Sequence, residues 1–338
     1  MKLNRKLLLT ALKAVKPGLG KSNEIDQATK FVFMEGMVCT YNDEVAVSHP
    51  LEVDFNGAVP GKEFYGAVDK LKTEEVELVV TGGELLVKGG QSKTIIRIES
   101  EITLPIIDLG MPEDDEYNDL PETFAEAVSS CLFSVGKDQN KPLLTCLHVK
   151  GTRLESSDNQ RVTRFEMGKK AKGCFPDELL IPAHAAKSII DYKPVEYAVT
   201  DGWLHFRNAD EAMFSCRVFE DEYPDFTEYL KEEGKEITFP DNLSEILDRA
   251  VVICDNDNKR VTVSLAANKL TISAEGVNGK FNEAVRVKYD GAGKDFDIHP
   301  EFMRTIMRHN KTAIIGKLLH FKTENFQHVV NLLPSMKK

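Results

Sequence analysis

Two short motifs contain residues that could bind phosphate or calcium. Residues 18–22, GLGKS, look like the end of a phosphate-binding loop, in which backbone N–H groups and a lysine hold phosphate oxygens. That loop requires a glycine where Val15 stands, and it follows a strand, whereas residues 1–15 predict an amphipathic helix. Residues 255–260, DNDNKR, begin like a calcium loop, but Lys259 and Arg260 replace a ligand and the required glycine. The phosphate-loop interpretation of the first segment is therefore rejected, and the second segment is interpreted as a turn.

The histidines and cysteines have no metal-binding or catalytic spacing. The eight histidines include no H-E-x-x-H pair, the six cysteines include no C-x-x-C, and no G-x-S-x-G motif occurs. Single cysteines of this kind are typical of reduced, buried thiols in a cytoplasmic protein. The sequence therefore predicts no metal, no cofactor and no catalytic residue. An enzyme with a cleft assembled from distant residues is a competing hypothesis.

Cations recur at one place in three parts of the chain, although the formal net charge is −11. Two of them follow each of three helix-like segments: Lys16 and Lys21, Lys137 and Lys141, Lys259 and Arg260. Phosphate backbones are bound by clustered cations without base-specific contacts, so these residues are the candidate DNA-binding positions. The simpler alternative is that lysines at helix ends favour the helix dipole and solubility.

The elements that carry these cations belong to an internal repeat. Three segments match one another, at residues 33–43, 148–158 and 264–275. The first two align Gly36 with Gly151, and the third has Asn268 at the turn. In each copy a helix-like segment beginning near a proline follows, and then a hairpin-like pair of alternating apolar runs. Three landmarks in one order indicate a tandem repeat.

Each copy also opens with a helix that has an apolar stripe. The stripes are Leu8, Ala11, Leu12 and Val15; Phe124, Ala127, Val128 and Cys131; Leu243, Leu247 and Ala250. Acidic, turn-rich stretches at 111–123 and 220–236 separate the copies. We predict an α+β chain with antiparallel sheets in three domains, at 1–112, 119–222 and 235–338. No stretch approaches the ~20 apolar residues of a membrane span, so no membrane partner is expected.

This plan resembles that of a known family. Together with SSDNQRV at 156–162, YPDF at 223–226 and LLPSM at 332–336, it resembles the bacterial-type DNA polymerase sliding clamp, the polymerase III beta subunit family, in a bacterial or a phage version. The resemblance implies three clamp-type domains, with helices lining one face and antiparallel sheets on the other. It also implies that two copies form a head-to-tail homodimer, closed as a ring around duplex DNA.

A processivity factor of this kind is not an enzyme. The partners that the resemblance implies are double-stranded DNA, bound without sequence preference, a DNA polymerase and a clamp loader. Its implied location is cytoplasmic. A clamp-fold protein that stays monomeric and serves as an interaction scaffold is the alternative.

The resemblance also implies two protein-binding sites. For the dimer contact, Val252 and Ile253 match the family's apolar pair, and Ile96 and Ile98 lie on the predicted edge strand of the first domain. The family has T-D-G-H-R-L where this chain has S-D-N-Q-R-V, and asparagine can adopt the left-handed conformation in place of glycine. A hydrophobic pocket for partner peptides would include Leu144, Ser157, Asn159, Gln160, Arg161, Val162, Pro224, Leu333, Pro334 and Met336.

Overall fold

The computed structural model describes residues 1–22, 24–110, 112–175, 178–219, 221–231, 233–254 and 259–335. The chain divides into two compact units. The first consists of Met1–Ala125 and Leu179–Glu220, and the second of Glu126–Glu178 and Asp221–Lys338. Compact units group residues by proximity rather than by repeat, so the three predicted domains stay a prediction.

The described residues contain six α-helices: α1 Arg5–Val15, α2 Gly61–Lys70, α3 Phe124–Leu132, α4 Ala183–Tyr192, α5 Leu243–Val251 and α6 Pro300–Ile306. The side chain of Asn4 caps α1 by accepting hydrogen bonds from the N–H groups of Lys6 (2.9 Å) and Leu7 (3.3 Å). These donors have no partner within the helix, so the cap stabilises its first turn. The three apolar stripes are buried, which confirms the predicted opening helices. None of the described helices is both long enough and apolar enough to pass through a lipid bilayer.

The strands are numbered along the chain. Those before α3 are β1 Lys2–Asn4, β2 Lys30–Met34, β3 Met37–Tyr41, β4 Val45–Pro50, β5 Gly57–Pro60, β6 Glu75–Thr81, β7 Glu84–Gly89, β8 Ser92–Arg97 and β9 Asn118–Asp119. Those between α3 and α5 are β10 Cys146–Lys150, β11 Arg153–Ser157, β12 Arg161–Glu166, β13 Leu179–Pro182, β14 Pro194–Thr200, β15 Trp203–Asn208, β16 Met213–Arg217 and β17 Lys235–Thr238. The remaining strands are β18 Val261–Ala266, β19 Lys269–Gly276, β20 Gly279–Arg286, β21 Lys294–Ile298, β22 Thr312–Ile315, β23 Leu318–Lys322, β24 Phe326–Asn331 and β25 Leu333–Pro334.

One order of elements occurs three times. A helix is followed by three strands, a short strand, a second helix and three more strands. The opening helices are α1, α3 and α5, and the second helices are α2, α4 and α6. This recurrence supports the repeat found in the sequence.

Each unit contains one long and one short sheet. In the first unit the long sheet has the order β5-β2-β3-β4-β16-β15-β14-β9, and the short sheet is β1-β6-β7-β8. In the second unit a long sheet contains the run β10-β11-β12-β24-β23-β22-β17, and the short sheet is β20-β19-β18-β21-β25. Neighbouring strands are antiparallel, for example β4 with β16 and β12 with β24. The structure is thus an α+β fold with antiparallel sheets, as predicted.

Candidate functional site

A cavity of about 190 Å³ lies in the second unit beside the turn that joins β11 to β12. Strands β23 and β24 and the segment before β17 complete its walls. Five predicted pocket residues line it: Ser157, Asn159, Gln160, Arg161 and Val162. They are contiguous in the sequence, so one turn brings most of them to the cavity.

The turn itself is fixed by hydrogen bonds. The Asp158 carboxylate accepts hydrogen bonds from the N–H groups of Gln160 and Arg161, both at 3.0 Å. Ser157 accepts a hydrogen bond from the N–H of Asn159 at 3.1 Å. Asn159 has φ +76°, the left-handed region that favours glycine or asparagine. The replacement of glycine by asparagine therefore preserves the turn.

Arg161 forms a rigid part of the cavity wall. Its guanidinium is 2.8 Å from the Asp158 carboxylate and stacks over two rings, 3.9 Å from the centroid of Phe302 and 5.6 Å from that of Phe133. Burial lowers the pKa of the Arg161 guanidinium, and the Asp158 carboxylate opposes that decrease. A cation held by a carboxylate and two ring faces has little freedom to move.

The apolar part of the cavity combines residues that are distant in the sequence. Val162 and Val329 form a buried cluster with Leu230, and Phe226 and Leu318 pack against it. Polar groups of the β11–β12 turn surround this cluster, together with Asn331 and the exposed ring of Tyr229. An apolar floor with a polar rim suits the side chain of a bound peptide.

Sequence reasoning missed five lining residues: Phe226, Tyr229, Leu318, Val329 and Asn331. The YPDF motif was the available signal for Phe226, which lies two residues after the predicted Pro224. Tyr229 lies in the segment before β17. The other three depend on the pairing of β12 with β24 and of β24 with β23. Such a pairing cannot be read from local periodicity.

Four other predicted pocket residues do not line this cavity. Leu144 is buried before β10, and Pro224 is exposed. Leu333 and Pro334 form β25, which pairs with β21. Met336 lies outside the described residues. Their assignment to the pocket stays a prediction.

The six predicted DNA-binding cations lie at matching points of the element order. Lys16 and Lys21 lie between α1 and β2, Lys137 and Lys141 between α3 and β10, and Lys259 and Arg260 directly before β18. The first four are exposed, and the last two are half-buried. Among the described residues, none of the six forms an ion pair within 4.0 Å. Their charges are therefore available to an anionic partner.

Two of the edge strands correspond to strands that are paired on both sides in the long sheets. They are β8 in the first unit and β20 in the second. The predicted interface residues Ile96 and Ile98 are only 7% exposed, whereas Ile95, directly before Ile96, is 63% exposed. Val252 is exposed and Ile253 is half-buried. Sequence reasoning therefore named one buried residue of β8 and one directly after the strand, and it did not name the exposed Ile95.

Within the same described ranges, no cluster of three or more histidine, cysteine, aspartate or glutamate side chains could hold a metal ion. Two of the buried histidines, His205 and His328, are instead paired with hydroxyl groups. One example is His205, whose imidazole nitrogens lie 2.7 Å from the Thr200 hydroxyl and 2.8 Å from the Ser215 hydroxyl. Burial lowers the pKa of His205 to about 4, so this side chain is neutral at pH 7.

No family model and no curated protein matches the sequence. Solved structures match it along almost its whole length. A sliding clamp of Bartonella birtlesii, the DNA polymerase III beta subunit bound to griselimycin, has a TM-score of 0.86 at 14% identity, with 99% of each chain covered. A DNA polymerase sliding clamp of Pseudomonas aeruginosa has 0.83 at 15%, and the DNA polymerase III beta subunit of Thermotoga maritima has 0.80 at 16%, again with 99% of each chain covered. The chain therefore has the sliding clamp fold, as its resemblance implied.

Proposed function

We propose that the chain is a DNA polymerase sliding clamp, a non-enzymatic processivity factor in which two copies close head to tail around duplex DNA. One observation carries this proposal. One long sheet joins β2–β4 to β14–β16, and the other joins β10–β12 to β22–β24. The strands β18–β20 correspond to the first group of each pair and β6–β8 to the second group, but β20 and β8 are free edges. Each free edge has the partner it needs on another copy of the same chain.

The two long sheets supply the geometry of that contact. In the first, Ala46 of β4 is opposite Ser215 of β16. In the second, Val162 of β12 is opposite Val329 of β24. Both contacts are antiparallel, and they occur at the same distance along the strands from the hairpin turns. A third contact of this kind would pair β20 with β8 of the neighbouring copy.

Counting from the same turns gives the register of the third contact. Ala46 lies opposite Tyr41, which is four residues after the first residue of β3. The residue four after the first residue of β19 is Ser273, which lies opposite Asn282, so Asn282 corresponds to Ala46. On the other edge, the first residue of β15 lies opposite Arg217, and Ser215 is two residues before Arg217. The first residue of β7 lies opposite Arg97, so the equivalent position in β8, two residues before Arg97, is Ile95. Asn282 would therefore lie opposite Ile95 of the neighbouring copy.

This register also gives roles to the predicted interface residues. Phe281 would lie opposite Ile96 of the other copy, and Gly279 opposite Ile98. The Ile253 side chain ends 3.7 Å from the point that a Cβ on Gly279 would occupy. Ile98 and Ile253 would thus meet across the contact and bury apolar surface.

The recurrent cations support DNA as the partner of the ring. Loops at matching points of a repeat face the same way when the repeats are related by rotation, so six cations from each copy would surround the duplex. Contacts to phosphates without base readout permit sliding, and processivity then comes from topology. An exposed acidic surface elsewhere would repel DNA from other faces.

The test of this function is topological. After incubation with nicked circular duplex DNA, we expect a fraction of the protein to stay with the DNA during gel filtration in high salt, because salt weakens phosphate contacts but not a closed ring. Cutting the circle before filtration should release the protein. Equal retention on cut and uncut DNA, or none on either, would reject encirclement.

We also propose that the cavity beside the β11–β12 turn binds peptides of a DNA polymerase and of a clamp loader. A partner leucine or phenylalanine would pack on Val162 and Val329, and the polar rim would bind the peptide backbone. The apolar cluster and the hydrogen-bonded turn support this assignment.

Replacing Tyr229 with Ala and Leu318 with Ser should weaken binding of a fluorescent peptide containing a Leu-Phe pair by roughly ten- to thirtyfold, since central apolar contacts dominate such sites. Fluorescence anisotropy measures the change. Val277→Ser removes an exposed apolar side chain from the β19–β20 turn and is the matched control. Unchanged affinity in the double variant would place the peptide elsewhere.

A further inference from the structure

An exposed apolar row crosses the short sheet of the first unit. Val79, Leu86 and Ile95 lie opposite one another on β6, β7 and β8. Val79 is 38% exposed and Ile95 is 63% exposed, while Leu86 between them is half-buried. Three neighbouring apolar side chains on one face of a sheet form a patch that is unusual for a surface without a partner.

The corresponding faces of both long sheets are covered by the chain itself. In the first unit, Leu104, Ile106 and Leu109 pack in one cluster with Tyr41 and Trp203. In the second unit, Phe226 and Leu230 pack on Val162 and Val329. The covering residues follow β8 and β16: the first group directly precedes the acidic stretch at 111–123, and the second lies within the stretch at 220–236.

The positions that correspond to the row are buried there. The turn between β6 and β7 matches the turn between β14 and β15, because each is a two-residue turn between a pair of directly opposed residues. Counting from these turns, Leu86 corresponds to His205 and Ile95 to Ser215, neither of which is more than 1% exposed. The row thus lacks the cover that its counterpart has.

The covering segment of the first unit also contacts a charged residue of the sheet. Arg207 of β15 pairs with Glu196 on the neighbouring strand at 2.9 Å. Two residues of the covering segment contact its guanidinium. A carboxylate oxygen of Asp114 lies 2.6 Å from a guanidinium nitrogen, and the ring centroid of Tyr117 lies 3.9 Å from the guanidinium carbon. The cover therefore supplies apolar side chains, a carboxylate and an aromatic ring.

The short sheet has a cation at the same position without that cover. Lys88 corresponds to Arg207 and pairs with Glu77, the counterpart of Glu196, at 2.8 Å. Among the described residues, none takes the place of Asp114 and Tyr117. Lys93 and Arg97 flank Ile95 on the same face and add positive charge, while Glu84 is opposite Arg97.

We propose that the row of Val79, Leu86 and Ile95, with Lys88, binds an extended acidic segment of another protein. The segment would place leucine or isoleucine side chains on the row and a carboxylate and an aromatic ring on Lys88. This surface lies on one chain, so its binding does not require the ring.

The chain's own cover provides the probe. A fluorescein-labelled peptide of residues 102–117, ITLPIIDLGMPEDDEY, should bind the full-length protein with a dissociation constant on the order of 100 μM. Val79→Asp and Lys88→Glu lie away from the free edge and should each weaken it at least roughly fivefold, because they remove an apolar contact or reverse the paired charge. Anisotropy measures binding, and light scattering should show the wild-type mass for both variants.

Reversing the charge on the peptide and on the protein together tests whether the peptide binds at this site. A peptide with Asp114→Lys should bind wild-type protein weakly and regain affinity for the Lys88→Glu variant. If both variants bind the original peptide like wild type, the peptide occupies the first unit's own covered face and the proposal is wrong. If the apparent loss follows a change of mass, the row is a contact between copies and the proposal is also wrong.

Discussion

A variant with Ile95→Cys and Asn282→Cys is expected to form covalently joined pairs of chains under mild oxidation. Directly opposed residues of antiparallel strands have Cβ atoms about 4.5–5.5 Å apart, close to the spacing that a disulfide requires. Each chain of 37.9 kDa carries both positions, so a closed pair would contain two cross-links. Non-reducing electrophoresis should show most of the protein at the mass of two chains.

The matched controls test the register. Ile95→Cys combined with Lys280→Cys or with Ala284→Cys places the thiols diagonally, about 7–8 Å apart between Cα atoms, and should cross-link much more slowly. Wild-type protein is the background control, because Cys174 and Cys254 are only half-buried. Faster joining in a diagonal pair would show a shifted register. No joining, with a scattering mass of one chain, would favour the monomeric scaffold.

The second large effect is expected at the cations. Lys21→Glu with Lys141→Glu reverses two exposed charges per chain, or four in a ring of two chains. Each lost phosphate contact lowers the slope of log affinity against log salt by about 0.9, so the slope should fall by roughly 3 to 4. Retention on circular DNA should decrease strongly while the mass of the assembly stays the same. Filter binding at several salt concentrations measures the slope.

Two exposed lysines outside the matching loops provide the control for net charge. Lys172→Glu with Lys269→Glu changes the formal charge equally but lies beyond the segments that precede β2, β10 and β18. This pair should leave the salt slope within about one contact of wild type. An equal loss in both variants would mean that overall charge, rather than the recurrent position, controls DNA binding.

Local features of the fold could be predicted because they depend on neighbours in the sequence. The stripe of Leu8, Ala11, Leu12 and Val15 follows helical spacing and is buried. The repeat was found from short matches, but its alignment was wrong by one residue. Gly36 is the second residue of its turn, whereas Gly151 is the first of its own.

Contacts between distant strands could not be predicted. The apolar floor of the cavity joins Val162 to Val329, and only the pairing of β12 with β24 shows that they meet. The run TIIRI contains neighbouring isoleucines, so its alternation does not show which of them faces inward. The structure resolves this, since Ile96 is buried and Ile95 is exposed. A shift of one residue in strand phase reverses every such assignment.

The stacked arrangement around Arg161 has a consequence for peptide affinity. Its guanidinium is held between two rings and a carboxylate, so that wall has its bound shape before any ligand arrives. Preorganised walls lose little conformational entropy on binding, and less of the contact energy is then spent on ordering side chains. Tyr229, which is 55% exposed, is a lining residue that would lose rotational freedom on binding.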